Sequence, residues 1–256
     1  MEKIIRVLWT GGWDSTFRIV ELSRMEGVTI EPVYVVDPNR KSVPFELDAM
    51  DSIIRCLKER AETKAQIADV KKIELNTIPK DEEISKAYRA IHEKTHLGAQ
   101  HEWLAWLGKQ MPGMEMGTEA GSPKTSHIID AIESFCKLEV KDGIGYIDPD
   151  GSTKEGKLVL GWFRFPIITR YETDMVRQIK EWGYEDIMKH IWFCHSPING
   201  KPCGCCHPCA VKMESDMEWL LPEKAQRHYR HYTGIQKRFG DNCAKIYKLM
   251  TQKLPI

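Results

Sequence analysis

The sequence predicts an α/β fold built on a doubly wound, mostly parallel sheet. Strand-like and helix-like segments alternate over the first third of the chain, which is typical of parallel sheets with helices on both faces. Of the 256 residues, 42% are hydrophobic, which is enough for a packed core. Five of the eight cysteines lie within residues 194–209, so we also expect a metal-stabilised region appended to the sheet.

Three strands and two helices alternate in the first third of the chain. The predicted strands are residues 4–9, 30–36 and 70–75, and the predicted helices are residues 14–26 and 47–61. Apolar side chains recur at spacings of three and four in the second helix, as expected for a helix that packs on a sheet. In such a sheet, ligands bind at the carboxyl ends of the strands.

The middle of the chain is predicted to be mainly helical. Residues 82–107 have the pattern of an amphipathic helix with interruptions, and the spacing of isoleucines predicts a second helix over residues 127–138. Residues 110–124 are rich in Gly, Met and Pro, which is typical of a loop.

A return to the sheet is predicted after this helical part. Residues 148–151 have the composition of a turn, and residues 157–168 supply a further strand. Thr169 and Glu172 match a capping box, which predicts a helix over residues 172–182.

The chain is predicted to divide into two regions. Residues 1–190 form the α/β domain, and residues 191–256, with the cysteines and a helical tail, form a C-terminal region packed on it. From residue 222 onward the tail has eight basic residues against two acidic ones, with tyrosines interleaved. A solvated helix that packs through its tyrosines is the favoured interpretation, and binding of RNA or of an acidic partner is the alternative.

Charge and hydropathy limit the classes of partner. Basic and acidic residues number 37 each, so the chain lacks the whole-molecule basic field of a dedicated nucleic-acid binder. No apolar run approaches the roughly 18 residues of a membrane span, and the first residues lead into a strand rather than a signal peptide. We therefore expect a cytoplasmic protein without a membrane partner and without general affinity for nucleic acid.

A glycine loop joins the first strand to the first helix at residues 10–16, Thr-Gly-Gly-Trp-Asp-Ser-Thr. Two glycines let the backbone approach an anion, and the first helical amides and the Ser15 and Thr16 hydroxyls can donate to phosphate oxygens. The loop has neither the Lys of a Walker A motif nor the spacing G-x-G-x-x-G of a dinucleotide site. The alternative is an ordinary Gly-Gly turn with Asp14 or Ser15 as a helix cap.

The cysteine cluster has the spacing C-x8-C-x2-C-x2-C, formed by Cys194, Cys203, Cys206 and Cys209. Four thiolates in a closed tetrahedron are typical of structural zinc, and we predict Zn²⁺ at these four residues. Cys205 is left out because adjacent residues seldom both reach one tetrahedral ion. An iron–sulfur cluster and a redox-active thiol group are the alternatives.

The two motifs, in this order, resemble those of the 7-cyano-7-deazaguanine synthase family. Thr10-Gly11-Gly12-Trp13-Asp14-Ser15 is similar to the PP-loop of ATP pyrophosphatases, Ser/Thr-Gly-Gly-x-Asp-Ser, and residues 202–209 are similar to the family's cysteine segment. The resemblance implies a PP-loop (adenine nucleotide α-hydrolase-like) fold with ATP, Mg²⁺ and Zn²⁺ as cofactors. It implies catalytic roles for Asp14 and Ser15, and ATP binding by Thr10, Gly11, Gly12, Asp14, Ser15 and Thr16.

The reaction implied by the resemblance is adenylation of the carboxylate of 7-carboxy-7-deazaguanine, with release of pyrophosphate. Ammonia then gives the amide, and a second ATP gives the nitrile used for queuosine-type bases. Asp37, at the carboxyl end of the second strand, corresponds to a family position and is expected to contact ribose, base or substrate. A homodimer is implied by the resemblance alone.

The chain departs from the family pattern at several positions. Of the motif after the second strand only Asp37 and Glu46 correspond, Glu172 stands where the family has lysine, and residues 98–119 have no clear counterpart. Relatives in antiphage defence gene clusters suggest an alternative acceptor, a protein amine in place of ammonia. A PP-loop enzyme that thiolates a tRNA base and a non-catalytic nucleotide-sensing scaffold are the further alternatives.

Overall fold

A single sheet of eight strands organises the residues that the computed structural model describes, which are 3–122, 124 and 126–253. The strands are β1 (Lys3–Leu8), β2 (Val28–Val36), β3 (Gln66–Ile67), β4 (Lys71–Glu74), β5 (Met114–Met116), β6 (Lys137–Lys141), β7 (Ile144–Asp148) and β8 (Phe163–Phe165). Their order is β3-β2-β1-β5-β8-β7-β6, and β4 pairs with β2 beyond β3 along the same edge. Pairing is parallel from β3 to β8 and antiparallel for β7 with β8 and with β6.

Helices cover both faces of this sheet. They are α1 (Trp13–Ser23), α2 (Val43–Glu59), α3 (Glu82–Thr95), α4 (Gln100–Gln110), α5 (His127–Phe135), α6 (Lys154–Leu160), α7 (Glu172–Trp182), α8 (Glu185–Met188), α9 (His207–Glu214), α10 (Glu223–Phe239) and α11 (Asp241–Lys253). Short 3₁₀ turns lie at Leu75–Thr77 and Glu218–Leu220. None of the helices in the described part of the chain is long and apolar enough to cross a membrane.

Two hydrophobic cores lie on opposite faces of the sheet. Successive side chains of a strand point to opposite faces, and in β2 Ile30 and Tyr34 enter one core while Val33 and Val35 enter the other. The first core also contains the cysteines of residues 194–209, so this segment packs against β1 and α1. The predicted α/β class with a mostly parallel sheet is confirmed.

The division at residue 190 stays a prediction, although one hydrophobic core includes residues from both predicted regions. Those regions extend to residues 1–2 and 254–256, which lie outside the described residues, as does residue 123 of the predicted loop.

The loop predicted over residues 110–124 contains a strand, and this prediction was wrong. β5 lies in the middle of the sheet, paired in parallel with β1 and β8. It has three residues, and its central residue, Glu115, is 2% exposed and forms two hydrogen bonds of 2.7 and 2.9 Å with Arg18 of α1. The alternation of Met-Glu-Met is too short for sequence analysis to recognise as a strand, and it does not indicate that the central carboxylate is buried.

The strand predicted over residues 157–168 is only partly extended, because its first four residues belong to α6. The Thr153 hydroxyl accepts a hydrogen bond of 3.1 Å from the Gly156 amide and so caps α6, which buries Val159 and Leu160. Only β8 in this range is extended. A short apolar run fits a strand and a buried helix equally well, and the cap decides between them here.

Three further boundaries differ from the predictions. The helix over residues 82–107 is interrupted at His96, which has a left-handed φ of 55° and separates α3 from α4. The helix over residues 127–138 ends at Phe135, and a hairpin of β6 and β7 follows. The helix over residues 172–182 has the predicted bounds, but its N-cap is Tyr171 without a side-chain hydrogen bond, so the capping box of Thr169 is wrong.

Candidate functional site

The glycine loop lies at the carboxyl end of β1 and leads into α1. Gly11 has a φ of 68°, and a Cβ there would be 3.2 Å from the Glu46 carbonyl oxygen, so the position requires glycine. Gly12 is the N-cap of α1 and makes no side-chain capping hydrogen bond. Glycine has no side chain that could cap the helix, so the first amides of α1 can donate to an anion, which would compete with the contact between the Asp14 amide and its own carboxyl.

Two cavities meet at this loop. The first, of about 360 Å³, lies over the carboxyl ends of β1, β2 and β5, and we call it the sheet cavity. The second, of about 300 Å³, lies between the loop, α9 and the residues around Cys194, and we call it the lobe cavity. Both are lined by Thr10, Gly12, Trp13, Asp14, Arg40 and Glu119.

The structure brings only part of the predicted ATP-binding set to these cavities. Thr10, Gly12 and Asp14 line both, and Ser15 lines the sheet cavity. The three remaining members, Gly11, Thr16 and Asp37, lie outside the lining of both.

The members outside the lining have local structural partners. Thr16 is fully buried, and its hydroxyl accepts a hydrogen bond of 2.9 Å from the Trp9 indole. The Asp37 carboxylate accepts a hydrogen bond of 2.9 Å from the Asn39 amide, which closes the turn after β2. Thr16 and Asp37 thus hold the local backbone.

A group of three carboxylates and one lysine lies where the cavities join. Lys212 of α9 is 5% exposed and forms an ion pair of 2.5 Å with Glu172, the first residue of α7. Its ammonium also lies 5.2 Å from the centre of the Trp13 ring. Asp14 and Glu119 complete the group from α1 and from the segment after β5.

Asp14 and Glu119 both have raised pKa values. Burial raises the pKa of Asp14 to about 6, with a further contribution from the negative charge of Glu172 and opposition from Lys212. Burial, followed by the charges of Asp14 and Glu172, raises the pKa of Glu119 to about 8. One oxygen of Glu119 is buried and has no hydrogen-bond partner in the described part of the chain. The positive charge of Lys212 does not fully offset the negative charges of Asp14 and Glu119. Two such carboxylates supply oxygen ligands that suit a divalent cation.

Sequence analysis missed three residues at this position. Glu119 follows β5, so a correct prediction of β5 would have placed it at the carboxyl edge beside the glycine loop. Gly117 permits this close approach, because a Cβ there would be 3.0 Å from the Ser15 amide nitrogen. Lys212 lies three residues after Cys209, and no sequence pattern indicates its role.

The four predicted cysteines form a compact, buried group. Their sulfurs all lie within 4.8 Å of one another, with distances of 3.4 Å for Cys206–Cys209, 3.8 Å for Cys194–Cys206 and 4.0 Å for Cys203–Cys209. Sulfurs around a tetrahedral zinc ion are about 3.8 Å apart, given a zinc–sulfur bond of about 2.3 Å. The group can therefore hold a metal ion such as zinc.

Hydrogen bonds around the cysteines fit this interpretation. The Cys203 sulfur accepts hydrogen bonds of 3.3 and 3.2 Å from the amides of Cys205 and Cys206. The Cys205 sulfur lies outside the group, 3.4 Å from His228 Nδ1, so its exclusion from the ligand set is confirmed.

The cysteine segment contacts the glycine loop directly. The Trp192 amide donates a hydrogen bond of 2.8 Å to the Gly11 carbonyl oxygen, two residues before Cys194. The Trp192 ring stacks on Phe45 of α2 with 4.4 Å between ring centres. The segment that carries the four grouped cysteines therefore also supports the backbone of the glycine loop.

No family model, no curated protein and no solved structure matches this chain. The residues of the site and the motif resemblance are therefore the indications of its chemistry.

Proposed function

We propose that this protein is a PP-loop type enzyme that uses Mg²⁺ and ATP to adenylate a carboxylate. The observation that carries the proposal is the glycine loop at the carboxyl edge of the parallel sheet, with an uncapped helix start beside the Asp14–Glu119 pair. An anion site next to two undercompensated carboxylates suits a polyphosphate bound with a divalent cation. A glycine turn with a purely structural role does not need a pair of carboxylates beside it.

Each group at the loop has a defined task in this proposal. The first amides of α1 and the hydroxyls of Thr10 and Ser15 donate to phosphate oxygens. Asp14 and Glu119 offer oxygen ligands for Mg²⁺, and both must lose their protons first. Bound Mg²⁺ supplies positive charge that offsets the negative charge of the phosphates.

The two cavities separate the two halves of the reaction. The apolar strand ends Leu8, Val35 and Met116 of the sheet cavity suit the adenosine part of ATP. The lobe cavity contains Lys212 and Arg40, which are paired with Glu172 and Glu46, and a substrate carboxylate would bind there by competing with these glutamates. Asp14 lies at their junction, where the α-phosphate would meet the carboxylate.

The reaction at this junction is a substitution at phosphorus. A substrate carboxylate oxygen forms a bond to the α-phosphorus, and the bond from that phosphorus to the bridging oxygen breaks, so pyrophosphate leaves. An amine then attacks the acyl carbon and AMP leaves. Positioning of the carboxylate supplies much of the acceleration in such a reaction, because the loop and Lys212 orient both partners.

The substrate proposed is 7-carboxy-7-deazaguanine, on the resemblance to 7-cyano-7-deazaguanine synthases. Ammonia is the proposed acceptor and gives the amide, which makes the protein a C–N ligase. A second ATP then adenylates the amide oxygen with release of pyrophosphate, and this oxygen leaves with AMP as the nitrogen loses its two protons, so the product is the nitrile. In this proposal the four cysteines hold Zn²⁺, which cross-links the segment that supports Gly11. The metal is structural, because four thiolates leave no open position for substrate.

Product analysis tests this proposal. Purified protein is incubated with Mg²⁺, ATP, 7-carboxy-7-deazaguanine and ammonia, and products are identified by mass spectrometry. AMP together with the amide or nitrile supports the synthase. Formation of AMP or of an adenylate without amide or nitrile would support the adenylation step. It would also indicate an acceptor other than ammonia, such as a protein amine.

Several outcomes would contradict the proposal. Absence of AMP and pyrophosphate with this carboxylate would refute the substrate, and ATP binding without release of pyrophosphate with any substrate would favour the nucleotide-sensing scaffold. Absence of any ATP binding in a zinc-loaded sample would refute the PP-loop assignment. Iron in place of zinc, together with tRNA binding, would favour a thiolating enzyme.

A further inference from the structure

A third cavity lies on the far side of the cysteine segment. It has a volume of about 560 Å³, lies between residues 198–203 and the helices α10 and α11, and shares no lining residue with the sheet cavity or the lobe cavity. We call it the basic pocket. Cys203 lines it, whereas Cys194 of the same metal group lines the lobe cavity.

The rim of the basic pocket carries uncompensated positive charge. Lys201, Lys224 and Arg227 line it, and no lining residue is acidic. All three side chains are exposed, and the ion pairs found in the described part of the chain involve none of them. Three cations that converge on one concave surface without a carboxylate suit an anionic ligand, above all a phosphate.

The floor and one wall of the pocket are apolar and aromatic. Ile198, Pro202 and Ala225 contribute the floor. On the wall, the Tyr247 ring lies 5.3 Å from His228 and 5.0 Å from His231, measured between ring centres. A simple ion leaves this surface uncovered, whereas a planar ring can stack on it.

His228 joins the wall of the basic pocket to the cysteine segment. Its Nδ1 lies 2.6 Å from the Cys203 carbonyl oxygen and 3.4 Å from the Cys205 sulfur. These contacts hold the His228 ring in place beside Tyr247 and so fix the aromatic wall.

We propose that the basic pocket binds a nucleoside phosphate, either as a free mononucleotide or as the terminal nucleotide of an RNA. Phosphate pairs with the rim cations, and the base stacks on the wall formed by His231 and Tyr247. A volume of about 560 Å³ accommodates a ligand of this size. This second site is independent of the proposed adenylation.

Photo-crosslinking locates such a ligand without interference from the other cavities. Zinc-loaded, full-length protein is irradiated with 4-thiouridine 5′-monophosphate, and the crosslinked peptide is mapped by mass spectrometry. We expect the crosslink in the peptides that contain His228, His231 or Tyr247. A crosslink confined to residues 9–16 or 100–119, or no crosslink, would overturn the proposal.

Charge variants test the role of the phosphate. Lys224→Glu with Arg227→Glu should weaken crosslinking by at least about 10-fold, whereas the matched pair Arg230→Glu with Lys237→Glu, on the same helix outside the pocket, should leave it unchanged. Zinc content and circular dichroism show that each variant is folded. Equal loss in both pairs, or equal crosslinking by 4-thiouridine without phosphate, would refute a specific phosphate site.

The source of the nucleotide is decided by a second probe. A 5′-phosphorylated tetranucleotide RNA with 4-thiouridine at its 5′ end is compared with the mononucleotide at equal concentration. Stronger crosslinking of the RNA at the same peptides assigns the pocket to an RNA end, and equal crosslinking assigns it to a free nucleotide. Binding of a poly-glutamate peptide with no binding of either nucleotide would overturn the proposal in favour of an acidic partner.

Discussion

Replacement of Glu119 by Gln should stabilise the metal-free protein at high pH and remove its response to Mg²⁺. Glu119 is buried beside Asp14 and Glu172, and its pKa is raised from 4.5 to about 8. The folded state therefore holds a proton that the unfolded state has already lost at neutral pH. Removing this proton from the folded state lowers the free energy of unfolding. This loss is absent below pH 4.5, grows as the pH rises, and is complete above pH 8.

The size of this effect follows from the two pKa values. The difference between 4.5 and about 8 corresponds to roughly 5 kcal/mol, at about 1.4 kcal/mol for each tenfold change. Solvent around a carboxylate that is only partly buried screens these charges, so we expect about 2–3 kcal/mol. Glu119→Gln should be more stable than the wild type by that amount at pH 9 and equal to it at pH 4.5.

Urea unfolding at pH 4.5 and pH 9, with and without Mg²⁺, measures both effects. Mg²⁺ at 100 times its dissociation constant should stabilise the wild type by about 2.7 kcal/mol at pH 9 and leave Glu119→Gln unchanged. Glu133→Gln, an exposed change on α5, is the matched control. A Glu119→Gln protein that is less stable at pH 9, or that keeps the full response to Mg²⁺, would refute the carboxylate-pair argument.

Three further changes test the loop, the metal group and the central strand. Asp14→Asn should abolish AMP formation with the fold intact, and exposed Asp48→Asn should keep full activity; an active Asp14→Asn enzyme would contradict the loop assignment. Cys206→Ser should lose the bound metal and lower the melting temperature, whereas Cys205→Ser should retain the metal by elemental analysis. Glu115→Ala should cost about 1–3 kcal/mol in urea unfolding, because it removes both hydrogen bonds of Glu115 with the buried Arg18 guanidinium and leaves that guanidinium paired with Glu21 alone; a loss below about 0.5 kcal/mol would contradict this.

The parts of the fold that sequence analysis predicted correctly are those with a local signal. β1 and β2 are apolar runs, α2 has a clear apolar stripe, and the cysteine spacing alone indicated the four grouped sulfurs. In each case the residues that determine the structure lie in one continuous segment of fewer than 20 residues.

β5 and the carboxylate pair have no such signal. Glu115 is buried because Arg18 reaches it from α1, and Glu119 gains its environment from Asp14 and Lys212, which are distant in sequence. Pairings of this kind exist only in the folded chain, so a local pattern assigns such residues to a polar loop. The Asp142–Gly143 turn is a different case, because a two-residue Asp-Gly hairpin is a recognised local signal that the analysis overlooked.

The hydrogen bond from the Trp192 amide to the Gly11 carbonyl has a consequence for the order of folding during synthesis. Residue 11 leaves the ribosome long before residue 192, so the strand and helix around the loop can form while the loop itself still lacks this support. The loop gains this support only after the cysteine segment has emerged, and on the proposal that this segment holds zinc we expect metal binding to stabilise it. Metal supply to the nascent chain would then decide how many finished molecules can hold an anion at the first helix, even if the sheet folds in all of them.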